Sequence, residues 1–205
     1  MDFETVLLLC ALFFAGAALY SSVGHAGASA YLAAMALLSV SPAVMRPTAL
    51  TLNLLVASLG VLQYGRAGLF NWRVFWPFAL GAVPFAFIGG GIQLSDQSYR
   101  LLLGLVLWAA AARLLIPGEI GTPAATRALN PFLGAAIGAG IGLLAGLTGT
   151  GGGIFLSPVL IFGGFAGVRE ASGIAAAFIL GNSAAGLSGI IAAIGNVPAE
   201  LPYFL

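Results

Sequence analysis

The sequence predicts an all-α membrane protein with about eight hydrophobic helical segments in two homologous units, the second of which is incomplete. Composition is the first reason. Of 205 residues, 60% are hydrophobic and only 6% are charged, whereas about a quarter of the residues of a soluble protein are charged. The other two reasons are a series of apolar runs long enough to cross a bilayer and a glycine-containing break that occurs once in each half.

The apolar runs follow one another with short interruptions. They cover about residues 6–22, 29–40, 47–64, 74–94, 98–116, 131–147, 154–165 and 171–194. The first run follows Asp2 and Glu4 rather than a positively charged segment, so we interpret it as a retained membrane span and not as a secretory signal. Cys10 lies in this run and is expected to be a small core residue.

Two of the runs, 29–40 and 154–165, are too short to span a bilayer as straight helices, and each follows a break that contains glycine. Short hydrophobic segments in corresponding places of two halves indicate the binding site of a transporter. The halves do correspond, because VGHAGASAYL in the first aligns with TGTGGGIFL in the second. Gly24 and Gly27 then fall opposite Gly149 and Gly152.

This duplication predicts a single transmembrane domain over residues 1–205. Its parts are a first repeat unit at 1–116, a linker at 117–130 and a second repeat unit at 131–205. The second unit lacks counterparts of the last two spans of the first, and we therefore expect a truncated chain or a fragment. Whether the short runs span or re-enter the membrane is left open.

The stretch GLTGTGGGIFLSPVL, which begins at Gly146, has five glycines within its first eight residues. Because each glycine costs about 1 kcal/mol in a helix relative to alanine, the helix must break here. A break in lipid is tolerated where it faces protein or a water-filled cavity. The helix that restarts near Ile154 would aim N–H groups and its positive dipole end at a ligand, which favours an anion. Close packing between helices is the alternative.

Four glycines just before this stretch recur at every fourth residue, namely Gly134, Gly138, Gly142 and Gly146. They lie along one face of a helix, and we prefer a packing role for them because small residues let a neighbouring backbone approach closely.

Arginine placement predicts the orientation of the chain, since cytoplasmic loops carry the excess of positive charge. If every run crosses the membrane, Arg66, Arg73, Arg113, Arg127 and Arg169 are cytoplasmic. Arg46 and Arg100 then lie on the other side. Arg46 and Arg169 occupy equivalent positions and could attract an anion, but we prefer to interpret them as markers of the membrane interface.

The candidate substrate-binding residues lie in or near the breaks. They are Gly24, His25, Gly27, Ser29, Asn53, Thr148, Gly149, Thr150, Gly151, Gly152, Gly153, Asn182 and Ser183. His25 is the only histidine, and its charge could switch near neutral pH. The two threonines offer hydroxyl groups to an anion, although helix capping would use the same residues. The amides of Asn53 and Asn182 lie within apolar spans, so they face either a cavity or a partner helix.

Three motifs resemble the TauE/SafE sulfite-exporter family: GLTGTGGGIFLSPVL, its counterpart SVGHAGASAYLAAM, and a longer stretch that begins FALGAVPFAFIGGGIQL at Phe78. The resemblance implies two homologous units and the export or uptake of small sulfur-containing or organic anions such as sulfite, sulfonates and sulfoacetate. The first break reads GHAGAS where the second has three consecutive glycines.

We therefore expect a secondary transporter of small anions in the plasma membrane of a bacterium or archaeon. The expected partners are a small anionic substrate and the lipid bilayer; the net charge of +1 argues against a nucleic-acid partner. A homo-oligomer is left open. The alternative function is a non-transporting membrane subunit that packs against another protein. We expect neither enzymatic activity nor a cofactor, because one histidine, one cysteine and no acidic residue within a span supply no catalytic or metal-binding set.

Overall fold

The computed structural model describes residues 3–21, 24–115 and 128–194. Throughout these residues the regular structure is α-helical, as the sequence predicts. The eight helices of this part of the chain are α1 (Phe3–Ser21), α2 (Ala28–Leu37), α3 (Pro42–Arg66), α4 (Trp72–Gly91), α5 (Asp96–Leu115), α6 (Pro131–Thr148), α7 (Gly153–Phe162) and α8 (Val168–Ile194). Each helix corresponds to one of the predicted apolar runs.

Five of these helices, α1, α3, α4, α6 and α8, are long and apolar enough to cross a membrane. The chain is therefore a multi-pass membrane protein. The helices α2 and α7 have 10 residues each, and at about 1.5 Å per residue each covers roughly half the thickness of the hydrocarbon core. Cys10 is exposed on α1, so the expectation that it is a core residue was wrong.

Helix α3 begins five residues before the apolar run that predicted it. Ser41 is extended and Pro42 takes the first helical position, where proline is favoured because its missing N–H would have no partner in any case. The earlier start places Arg46 inside the helix rather than in front of it. Of the predicted linker, residues 117–127 lie outside the described part. Asn130 caps α6 by accepting a hydrogen bond from the N–H of Phe132.

Helix α4 packs along both α6 and α8. A Cβ atom added at Gly138, Gly142 or Gly146 would overlap a carbonyl oxygen of α4, that of Phe78, Ala82 or Ala86 respectively. The glycine stripe of α6 thus lets two backbones touch, and its predicted packing role is confirmed.

Helices α3 and α8 are antiparallel. Asn53 contacts Ser183, while Gly60, further along α3, lies beside Ala176, which is earlier in α8. The start of α3 is therefore next to the end of α8, and the reverse holds at the other end of the bundle. We name the end of the bundle at which α3 starts the Arg46 end, and the end at which α8 starts the Arg169 end, after the arginine near the start of each of these helices.

Three other arginines also lie at one end or the other. The Arg100 guanidinium donates to the carbonyl oxygen of Val40, at the Arg46 end. Arg66 closes α3 and Arg73 opens α4 at the Arg169 end, where Asn71 donates to the Glu170 carboxylate of α8. This separation agrees with the distribution expected if every run crosses the membrane. The division into two repeat units stays a prediction.

Candidate functional site

Two breaks in the helical chain, residues 24–27 and 149–152, form the centre of the candidate site. Each depends on glycines whose φ angles are positive, a conformation that residues with a side chain rarely adopt. These φ angles are 79° at Gly24, 94° at Gly27, 85° at Gly149, 74° at Gly151 and 82° at Gly152. The backbone conformation thus accounts for glycine at these positions, and helix packing alone does not.

The two breaks meet. They enclose a cavity of about 10 Å³, the inner cavity, which is lined by Tyr20, His25, Ala26, Gly27, Ala28, Ser29, Thr150, Ile154 and Ile179. His25 and Thr150, which the internal alignment places opposite each other, both line it. This cavity lies near the middle of the long helices, because Gly151 in the second break lies against Asn53, halfway along α3.

The first turns of both short helices start at this cavity. In α2 the first backbone hydrogen bond is donated by Ala30 to Gly27, and in α7 it is donated by Phe155 to Gly152. The N–H groups of Ala28 and Ser29, and of Gly153 and Ile154, precede these bonds and have no intrahelical acceptor. Two positive helix ends therefore converge on one small cavity, whose lining includes His25, Ser29 and Thr150.

The threonines of the second break form a short chain of hydroxyl groups. Thr148 Oγ1 donates to the carbonyl oxygen of Leu144 at 2.6 Å and lies 3.0 Å from Thr150 Oγ1. Thr148 is fully buried and Thr150 is 5% exposed. Thr148 thus serves its own helix end, while Thr150 lines the inner cavity.

His25 connects the first break to helix α7. Its Nε2 atom lies 3.1 Å from the carbonyl oxygen of Gly153 and 3.1 Å from Ser157 Oγ. Because a carbonyl oxygen only accepts, the bond to Gly153 requires a proton on Nε2. His25 also lines two larger cavities towards the Arg169 end, one of about 260 Å³ with Gln63 and one of about 270 Å³ with Arg169. The imidazole therefore separates these outer cavities from the inner one.

Asn53 and Ser183 lie beside the second break. Asn53 Nδ2 donates to Ser183 Oγ at 3.3 Å, so Asn53 makes an inter-helix hydrogen bond. A Cβ atom at Gly151 would lie 2.6 Å from Asn53 Nδ2. The neighbouring Asn182 is 1% exposed, and in the described part of the chain neither its amide nitrogen nor its amide oxygen has a hydrogen-bond partner. The same is true of Asn53 Oδ1 and Thr48 Oγ1.

Arg46 differs most from its predicted role. Its side chain is 9% exposed, so its interpretation as an interface marker was wrong, whereas Arg169 is exposed. Arg46 Nη2 donates to the carbonyl oxygens of Gly89, Gly90 and Gly146 at 2.9 to 3.0 Å, and Nη1 donates to that of Ile92 at 3.0 Å. The guanidinium thus joins the C-terminal ends of α4 and α6.

The structure gathers some predicted residues and separates others. His25, Gly27, Ser29 and Thr150 surround the inner cavity. Gly24, in contrast, lies against Ser172 at the Arg169 end, and Gly149 lies against the backbone of Arg46 at the other end.

Four residues at the site are not among the predicted site residues. Tyr20 lines the inner cavity, Ser157 contacts His25, Tyr99 donates to the carbonyl oxygen of Thr148, and Arg46 lies beside Gly149. Ser157 was within reach of sequence reasoning, because it follows Gly153 by one helical turn on the same face. Tyr20 and Tyr99 carry no such signal.

Comparison with known proteins gives a family and one curated relative. The model of the family described as "Sulfite exporter TauE/SafE" matches residues 8–205. The relative is a "Probable membrane transporter protein y4hK" of Sinorhizobium fredii, to which the chain is 39% identical over 208 aligned residues. The alignment covers all of this chain and 84% of the relative. No solved structure matches.

Proposed function

Because the chain belongs to the TauE/SafE sulfite exporter family of membrane transporters, we propose that it is a secondary transporter of small anions. The substrates in question are sulfur-containing or organic anions such as sulfite, a sulfonate or sulfoacetate. Family membership favours this function over that of a non-transporting subunit.

The observation that carries the proposal is the convergence of two helix N-termini on one cavity. Ser29 in α2 and Ile154 in α7, whose N–H groups have no intrahelical acceptor, both line it. An anion bound there would accept hydrogen bonds from both helices at once, and both helix dipoles would stabilise its charge. Thr150 adds a hydroxyl group. These donors are neutral and closely spaced, which suits a compact anion that presents several oxygen atoms.

The inner cavity has to widen during transport. Its volume of about 10 Å³ is about the least that holds a single water molecule, so the described conformation is a closed one. Its wall on the Arg169 side is His25, and a shift of that side chain would join the inner cavity to the outer cavity of about 270 Å³. We propose that the anion passes between the two ends of the bundle by such movements around the fixed glycine breaks.

His25 gives the transport a pH dependence in this proposal. An imidazole gains a positive charge within the physiological pH range, and a charged His25 would attract the anion to the inner cavity. Tyr20 from α1, Tyr64 from α3 and Ser157 from α7 face the same imidazole or the cavities beside it, as does Arg169 from α8. The anion and a proton would then move together.

The test is an uptake assay in proteoliposomes made with the purified chain. Labelled sulfite, sulfoacetate and thiosulfate are offered in turn, and liposomes without protein serve as the blank. We expect saturable uptake of at least one of these anions, faster with an inward proton gradient than without it. If a folded preparation moved none of them, the assignment as an anion transporter would be abandoned.

A further inference from the structure

We propose that a cavity beside Arg46 is a second anion-binding site, a vestibule that holds the anion before it reaches the glycine breaks. This inference rests on the anion transport proposed above. The Arg46 cavity has a volume of about 320 Å³ and is lined by Arg46, Gln93, Asp96, Tyr99 and Ile190, among others. It is large enough for a small anion together with water molecules.

Arg46 is the cation of this site. It is 9% exposed, and no carboxylate of the described residues pairs with it; its bonded acceptors are backbone carbonyl oxygens. A buried charge is costly unless it is paired. The carbonyl dipoles of two helix ends offset part of this cost, but the charge itself is not neutralised. An anion in the adjoining cavity would neutralise it.

The guanidinium also keeps donors available. It has five N–H bonds, and its Nε atom is buried without a hydrogen-bond partner within the described residues. Nη1 makes one hydrogen bond although it carries two hydrogens. If Arg46 only bonded to its four carbonyl oxygens, its side chain would not need to line a cavity. An anion that accepted bonds from Nε and Nη1 would satisfy donors that now lack partners.

The Arg46 cavity leads to the glycine breaks. Tyr99, which lines the cavity, donates to the carbonyl oxygen of Thr148 at 2.9 Å. Thr148 contacts Thr150 through their hydroxyl groups, and Thr150 lines the inner cavity. Tyr99, Thr148 and Thr150 therefore place polar groups between the vestibule and the inner cavity.

The opposite end of the bundle has a comparable arrangement. Arg169, which the internal alignment places opposite Arg46, lines the outer cavity of about 270 Å³ next to His25. One arginine thus lines a cavity at each end of the bundle. In this proposal the two positive charges attract anions from both sides of the membrane. Asp96 opposes this attraction in the Arg46 cavity, but it is exposed at the rim, where solvent screens its charge.

The first experiment measures the KM for the transported anion in proteoliposomes for the wild type, Arg46→Gln, Arg46→Lys and Arg66→Gln. We expect Arg46→Gln to raise KM by roughly ten- to hundredfold, the range that the loss of a charge-assisted hydrogen bond gives. Arg46→Lys should recover part of the affinity because it keeps the charge. Arg66→Gln is the matched control, since this exposed arginine lies at the far end of α3, and its KM should equal that of the wild type.

A second variant covers the case in which Arg46→Gln does not fold, which circular dichroism and gel filtration would reveal. Asp96→Asn changes an exposed residue and removes the repulsion, so KM should fall by about two- to fivefold at low salt, and the difference should disappear at high salt. An unchanged KM in Asp96→Asn and in folded Arg46→Gln would show that Arg46 only joins helix ends. Absence of transport by the wild type would instead overturn the proposed function itself.

Discussion

Gly152 is the residue on which the geometry of the second break depends most. Its φ angle is 82°, and a Cβ atom there would lie 3.0 Å from both Ile141 and Phe178. Gly152→Val would disfavour the conformation that starts α7 and would move the N–H groups of Gly153 and Ile154 away from the inner cavity. We expect this variant to lose transport while remaining inserted in the membrane, as measured by anion uptake at equal protein amounts.

Gly140→Val provides the control for that substitution. Gly140 lies within α6, and a Cβ atom there would meet nothing within 4 Å. The same change of side chain should therefore leave uptake near the wild-type rate. Full activity of Gly152→Val would contradict the placement of the substrate at this break.

His25 is expected to control the pH dependence of transport and not the fold. His25→Ala removes the bonds to Gly153 and Ser157 but leaves no buried charge unpaired. Uptake by the wild type should increase as the pH falls from about 8 to about 5, the range in which an imidazole becomes charged, and the profile of His25→Ala should be flatter. Ser157→Ala, which keeps the imidazole, should retain the wild-type profile. An unchanged profile in His25→Ala would show that His25 carries no coupled proton.

Residues of the site divide into those that a sequence pattern reveals and those that it does not. The glycines, His25 and Thr150 could be predicted because the helix must break at the glycines and because the internal alignment pairs the two breaks. Arg46 could not, because the carbonyl groups that bury it belong to α4 and α6, more than 40 residues away in the chain. Only the folded arrangement brings those helix ends to the start of α3.

At the scale of helices, the contact between α4 and α6 depends on the absence of side chains. Gly142→Leu would place a side chain where the carbonyl oxygen of Ala82 now lies, so the two backbones would have to separate. We expect a loss of about 1–3 kcal/mol in the free energy of unfolding, the usual cost of overpacking. Unfolding in mixed detergent micelles measures it, and Gly140→Leu, on the open face of α6, is the control.

A loss as small for Gly142→Leu as for Gly140→Leu would contradict the close approach of α4 and α6. The order of the helices and the packing stripe could be predicted because apolar runs and a glycine at every fourth residue are local features of the sequence. The start of α3 was placed five residues too late, since the apolar run was taken to begin after the charged Arg46, whereas the helix begins at Pro42 for a conformational reason.

At the scale of the whole molecule, the antiparallel helices α3 and α8 join the first half of the chain to the second. Each break lies against the start of the long helix of the other half: Gly24 contacts Ser172 in α8, and Gly149 contacts Arg46 in α3. Internal similarity predicted that the breaks correspond, but not that each one packs against the other half. That exchange is a property of tertiary packing, which carries no short-range sequence signal.

The large cavities at the two ends of the bundle should be reached from opposite sides of the membrane. Gln93 lines the Arg46 cavity and Gln63 lines the outer cavity of about 260 Å³, and both glutamines are exposed. From Arg46 to Tyr64, α3 rises by about 27 Å, close to the thickness of the hydrocarbon core.

In a Cys10→Ala background, which removes the only cysteine, Gln93→Cys should react with a membrane-impermeant maleimide added outside intact cells. Gln63→Cys should react only after the cells are opened, because the positive-inside rule places the Arg169 end in the cytoplasm. Reaction of both cysteines from the same side would contradict the placement of the two ends on opposite faces of the membrane. Reaction of Gln63→Cys alone from outside would show that the orientation is the reverse of the one expected.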